Sequence, residues 1–293
     1  MPARLVFALL WLIGSLPPRV LQALGVAVGR LVGALDLREA RVARRSLELC
    51  YPDLGPDARL ALWRANLAET GRTLLETARF WTRPASRNLS LVREVVGREA
   101  FDAARAAGRG LIIAAPHQGN WELLNQWLAA QSPLAILYRP PRQIWGDALI
   151  RRLRAQPGVT QVRAEASGVR TLFRYLKDGG MVGILPDQQP KRGDGEFAPF
   201  FGIPALTMSL LPRLAHKTGA AVLTAFAERL PDGGFRIRLQ PAPEAVADAD
   251  PAVAAAALNR AIEDCIALAP PQYQWSYKRF TIRPEGAPPI RYD

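Results

Sequence analysis

Between residues 110 and 240 the chain carries six short apolar runs. GLIIAA (110–115), PLAIL (133–137), GVTQV (158–162), MVGIL (181–185), AAVLTAFA (220–227) and GFRIRLQ (234–240) read as strands. Helical patterns surround them, near 99–107, 120–131, 143–155, 167–178, 205–217 and 251–268. Nearly continuous apolar strands separated by amphipathic helices have to be buried from both sides. The fold class expected is therefore α/β, a mostly parallel central sheet flanked by helices on both faces, with LPDGGF turning the last strand pair as a hairpin. A chain of 293 residues holds one large domain of this kind together with a helical appendage. No internal repeat interrupts the pattern.

The appendage is at the N-terminus. LVFALLWLIGSL (5–16) is almost wholly apolar, PPR interrupts, and VLQALGVAVGRLVGAL (20–35) resumes with Arg30 as its one charge. Neither half reaches the roughly 18 to 20 apolar residues of a spanning helix, and no small-residue cleavage site of a signal peptide follows. We expect an uncleaved, membrane-associating helical segment, a short tilted helix or a helix pair dipping into one leaflet, with Trp11 near the interface. A helix pair buried within a soluble domain is the alternative. Arg38, Arg41, Arg44 and Arg45 follow on a helical pattern that ends at Pro52. Such residues suit an anionic cytoplasmic leaflet, each contributing about 1 kcal/mol near its surface; they suit a solvated helix face equally well. A further helix is expected over 56–82. The division expected is membrane-anchoring helices over 1–50 and an α/β domain over 51–293.

A net charge of +12 and a pI near 10.6 imply anionic partners, whether nucleic acid, lipid headgroups or an acidic carrier protein. Only four of the 38 basic residues are lysine, the arginines are scattered, and no RNA-binding, zinc-finger or helix-turn-helix signature is present, so no nucleic acid is expected as partner. Cys50 and Cys265 lie far apart in apolar surroundings with no CxxC and no His/Cys cluster. They read as reduced, buried thiols, and neither a metal nor a cofactor is expected.

In a sheet of this class the ligand cleft opens at the carboxyl ends of the strands. His117, one of two histidines, lies there in APHQGNWELL, with Glu122 five positions on. Arg139 and Arg142 in LYRPPR follow the next strand, and Asp187 in LPDQQP follows another. A neutral imidazole takes a proton from an alcohol at physiological pH, and a carboxylate on its other nitrogen fixes the tautomer. Glu122 is the carboxylate the spacing offers. No GxSxG elbow is present and neither cysteine sits in the His117 motif, so the pair is expected to activate a substrate hydroxyl or water without an acyl-enzyme. A helix-capping His117 with a solvated Glu122 is the structural alternative.

HQGNWE, YRPPR, GILPDQQP, FAPFFGIPALT and YQWSYKRF, in that order, resemble the bacterial lipid A biosynthesis acyltransferases, the lauroyl/myristoyl transferase family of the lysophospholipid acyltransferase superfamily. The resemblance runs from ARRSLELCYPDL to RFTIRP. It implies an acyltransferase on the cytoplasmic face of the bacterial inner membrane, moving a fatty acyl chain from an acyl carrier protein thioester to a hydroxyl of a phosphorylated glycolipid acceptor. By position it implies His117 as base, Glu122 as its orienting partner, Arg139 on an acceptor phosphate with Arg142 beside it, and Asp187 ordering the cleft. Gly119 and Asn120 shape the loop, and the amides at that helix start are candidates for stabilising the oxyanion. Phe200 and Phe201, with Phe197, have two readings, an acyl-chain tunnel or core packing. Ser46 and Tyr277 depart from the family pattern, which often has asparagine and histidine there. The competing readings are a lysophospholipid or other membrane-lipid acyltransferase, a nucleic-acid-binding module and a non-catalytic membrane scaffold.

Overall fold

The structure is a computed structural model that describes residues 2–138 and 151–292. Its main sheet runs β1 (Val92–Val96), β9 (Phe235–Pro241), β8 (Ala221–Arg229), β2 (Leu111–Ala114), β5 (Met181–Ile184), β3 (Leu134–Tyr138) and β4 (Val159–Arg163) in spatial order. Every pairing is parallel except the β8–β9 hairpin. The six expected strands are all present, and the sheet is α/β as the apolar runs require.

Alternation along β2 shows why both faces are covered. Leu111 and Ile113 point into a core with Phe80, Phe101, Leu123, Leu124 and Trp127. Ile112 and Ala114 point the other way, into a core with Leu172, Leu176, Leu211, Leu214 and Leu258. Helices α6 (Arg98–Ala106) and α7 (Trp121–Gln131) thus cover one face with the end of α4 (Pro56–Thr82). Helices α8 (Ala166–Lys177), α9 (Leu210–Thr218) and α10 (Pro251–Leu268) cover the other. A one-turn helix, α5 (Ala85–Leu89), links α4 to β1.

Three elements depart from the sequence expectation. The edge strand β1, whose residues are all at least partly exposed, has no apolar run to announce it. A separate antiparallel pair, β6 (Gly195–Phe200) and β7 (Ile203–Met208), occupies the stretch where a helix was expected from 205, and α9 begins only at Leu210. The two-residue turn Phe201–Gly202 joins the pair with both residues at positive φ, 50° and 74°, the conformation that matches strand twist in a tight hairpin. The expected helix over 143–155 falls mostly outside the described residues.

Helix α3 (Arg38–Cys50) is part of the body of the protein. Its Val42, Ala43 and Leu47 pack with Trp63, Phe200, Ile262, Tyr273, Trp275 and Phe280. Helices α1 (Pro2–Ser15) and α2 (Pro18–Ala34) pack on α4. Gly25 and Gly29 of α2 meet Gly71 of α4 backbone to backbone: a Cβ on Gly71 would lie 2.1 Å from the Gly25 oxygen. The two helices meet at a bend of 113°, and among the described residues no single helix is long and apolar enough to cross a membrane. The outer side of α1 presents Leu5, Leu9 and Leu12, 76%, 57% and 61% exposed, at helical spacing beside Trp11.

Candidate active site

Parallel pairing of β2 with β5 sets Ala114 opposite Ile184. His117 lies three residues beyond the first and Asp187 three beyond the second, so the two loops leave the sheet in step. The Ala115 amide donates to the Ile184 carbonyl at 2.9 Å and continues the ladder. The Asp187 carboxylate then takes two hydrogen bonds from His117, from the backbone N–H at 2.9 Å and from Nδ1 at 2.7 Å. This corrects the expected pairing: Asp187, not Glu122, holds the imidazole.

Glu122 points elsewhere for a geometric reason. It sits in the first turn of α7 and is buried, where its carboxylate accepts from Arg154 Nε at 3.0 and 3.2 Å and from the Arg154 Nη2. Arg154 therefore neutralises Glu122, leaving the His117 ring to the carboxylate that emerges from the neighbouring strand.

Burial of Asp187 opposes its charge, yet the adjacent His117 ring and the hydrogen bonds from its side chain and backbone hold the carboxyl below the usual aspartate range. Tyr273 is buried next to it; burial first, and then the Asp187 charge, push its phenol well above the usual value, so the hydroxyl stays protonated and donates to the carboxylate. With Asp187 ionised and able only to accept, His117 Nδ1 is the donor, and in the neutral ring Nε2 carries the lone pair. That nitrogen faces Gln188, whose amide nitrogen lies 3.3 Å away. Trp121 packs edge-on against the ring at 5.2 Å between centroids.

His117 opens into a cavity of about 290 Å³ whose polar lining includes Asn125, Arg154, Gln188 and Gln189 and whose apolar lining includes Trp121, Ile136, Leu137, Leu185 and Met208. Among the described lining residues there is no serine, threonine, cysteine or lysine. Cys50 and Cys265 are buried away from it, and burial raises both thiols, Cys265 to about 11.

The loop itself is pinned from below. Gly119 adopts φ +59°, and a Cβ there would sit 1.9 Å from the Ala227 carbonyl oxygen, so only glycine fits. The Gly119 amide donates to Gln272 O at 2.9 Å and the Asn120 amide to Ala227 O at 3.0 Å. Both N–H groups are therefore committed to backbone carbonyls and hold the loop rather than face the cavity. Asn120 caps α7, accepting from the Leu123 amide, while its Nδ2 donates to Glu76 at 3.4 Å. Glu76 in turn holds Arg229, which also reaches Glu69 and Thr73, and Gln22 of α2 donates to the same carboxylate at 3.2 Å. Burial disfavours the Arg229 charge, but Glu76 and Glu69 outweigh it and raise its pKa.

Phe200 and Phe201 take the packing role. They stack on each other and on Tyr51, Trp275 and Phe280, and neither lines the His117 cavity. The apolar wall beside His117 comes instead from Ile136, Leu137, Leu185 and Met208, residues that look like ordinary strand and loop positions in the sequence. Arg139 and Arg142 lie outside the described residues.

An α/β sheet thus carries a histidine–aspartate pair at the carboxyl ends of adjacent strands, and the pair opens on a half-apolar cavity whose described lining holds no serine, threonine, cysteine or lysine. Comparison with known proteins places it. The model of the family "Bacterial lipid A biosynthesis acyltransferase" matches residues 3–281, and the chain belongs to that family. It is 32% identical to the lipid A biosynthesis lauroyltransferase of Escherichia coli (strain K12), over 95% of this chain and 91% of that protein. It is 31% identical to the palmitoleoyltransferase of the same organism, over 94% and 90%, and 23% identical to its myristoyltransferase, over 92% and 84%. An acyltransferase of lipid A biosynthesis follows from that membership.

Proposed function

We propose that this acyltransferase moves a fatty acyl chain from an acyl carrier protein thioester directly to a hydroxyl of a phosphorylated lipid A precursor, with His117 as general base. The observation that carries this reading is the His117–Asp187 geometry: Nδ1 is fixed as a donor, so the basic Nε2 faces the cavity, and the described lining offers no nucleophile for an acyl-enzyme. The apolar wall suits a fatty chain. Arg154 lines the same cavity but is paired with Glu122, and Arg139 and Arg142, which follow β3 in the chain, are the proposed phosphate ligands on the sequence argument. Guanidinium grips phosphate through paired hydrogen bonds.

The same reading seats the protein on the cytoplasmic face of the inner membrane, with α1 and α2 lying in one leaflet. The leucine side of α1 supports it, as does Arg83, whose guanidinium stacks 4.7 Å over Trp11 at the elbow between the two helices. The direct test offers the purified protein an acyl carrier protein thioester with either a lipid A precursor or a lysophospholipid, and follows product mass. The reading expects acylation of the precursor; acylation of the lysophospholipid alone would overturn it.

A further inference from the structure

Gln188 stands where the reacting atoms have to meet. Its amide nitrogen is 3.3 Å from His117 Nε2 and 3.2 Å from Gln274 Oε1. Because Nε2 holds a lone pair, only an N–H can face it, which fixes the orientation of the amide and uses both of its hydrogens. An acceptor hydroxyl must come within about 2.6–3.2 Å of Nε2 to give up its proton. It therefore takes the place of the amide, and one N–H of Gln188 is released beside the attacking oxygen.

The thioester oxygen needs a donor at that moment. Gly119 and Asn120 donate to backbone carbonyls, Arg154 donates from Nε and Nη2 to Glu122, and the Gln189 amide donates to Lys278 O and Thr281. We propose that Gln188 is the oxyanion donor of the transfer reaction, its side-chain amide leaving Nε2 as the acceptor hydroxyl binds and donating that N–H to the thioester oxygen. The inference rests on His117 being the general base.

In the first step the acceptor oxygen bonds to the thioester carbon, its proton passes to Nε2, and the carbonyl π pair moves onto the oxygen facing Gln188. In the second, that pair re-forms the carbonyl, the carbon–sulfur bond breaks, and the departing sulfur takes the proton from Nε2. The products are an ester and a thiol, and the enzyme returns to its starting state.

Removal of one such donor costs about 10² to 10³ in kcat. The experiment measures kcat, both KM values and melting temperature for Gln188→Ala, Gln188→Glu, Gln274→Ala, Asn125→Ala and His117→Ala. Gln188→Glu keeps the shape but, ionised, can only accept. The proposal expects both Gln188 variants to lose about 10² to 10³ in kcat with little change in either KM or in melting temperature. Asn125→Ala, which removes the other uncommitted side-chain amide of the cavity, should lose much less in kcat than Gln188→Ala. Gln274→Ala should lose much less than Gln188→Ala. Near-normal kcat in Gln188→Ala beside an inactive His117→Ala would overturn the proposal alone; so would a loss carried by Asn125→Ala, or one equal in Gln274→Ala. Full turnover in His117→Ala would remove the base and this proposal with it.

Discussion

Asp187 holds His117 at two points, the backbone N–H at 2.9 Å and Nδ1 at 2.7 Å, while Glu122, five residues from the histidine, is bound to Arg154. The two carboxylates should therefore fail in different ways when neutralised. Asp187→Asn can turn its amide N–H toward Nδ1 and drive the ring proton to Nε2, the wrong tautomer for a base; kcat should fall by about 10² to 10⁴. Glu122→Gln leaves the tautomer intact but frees Arg154, so the effect should fall mainly on KM for the anionic acceptor. Steady-state kinetics of both variants check this.

Acid stability follows from the same contact. The Asp187 carboxyl has its pKa lowered in the folded protein from an ordinary value of 3.8, so its contacts with His117 stabilise the fold fully above that value and the contribution is lost as pH falls through the lower folded value. The melting temperature of Asp187→Asn should accordingly lie below wild type near neutrality, and the gap should narrow below pH 3.8. Thermal melts across an acid pH series measure it.

Arg229 links β8 to α4 through Glu76 and Glu69 with almost no exposure of its side chain. Arg229→Met strands two carboxylates and should cost about 3–5 kcal/mol, whereas the double variant Arg229→Met with Glu76→Leu should cost less than the two single changes added together. Denaturant unfolding of the three proteins gives the comparison. Asn120 draws on the same carboxylate, so the single variants should also lower turnover.

Removing the N-terminal helices whole would bare the glycine-lined face of α4, so membrane seating is better tested by substitution. Leu5, Leu9 and Leu12 are exposed and make little of the core; changing all three to serine should leave the melting temperature nearly unchanged while releasing the protein from anionic vesicles in a sedimentation assay. Undiminished vesicle binding would contradict the proposed seat.

Strands β2, β3, β5 and β8 were legible because each is an apolar run that demands cover on both faces, β9 because its apolar residues alternate, and α4 and α10 because their periodic patterns begin at a proline in the first turn. The β6–β7 pair was not, since FAPFFGIPALT owes its shape to a positive-φ turn and to packing against Trp275 and Phe280, which no local pattern carries. At the site, His117 and Asp187 could be placed at strand ends but not paired. Their contact depends on β2 and β5 being spatial neighbours in register, a fact of topology. The nearer carboxylate at Glu122 was the natural choice along the chain, and Arg154, whose contact decides against it, comes from beyond the next strand. The equal offset of three residues from each strand end was the one signal available. The role of Gln188 needed the tautomer and the occupied amides of Gly119 and Asn120, which only coordinates supply.

The central claim is that His117 Nε2 takes the proton of the acceptor hydroxyl. Its most direct test is single-turnover transfer of a labelled acyl group from acyl carrier protein to a lipid A precursor by His117→Ala, alongside its circular dichroism and melting temperature. The account predicts a rate about 10² to 10⁴ below wild type with the fold intact. A folded His117→Ala protein that transfers the acyl group at the wild-type rate would contradict it.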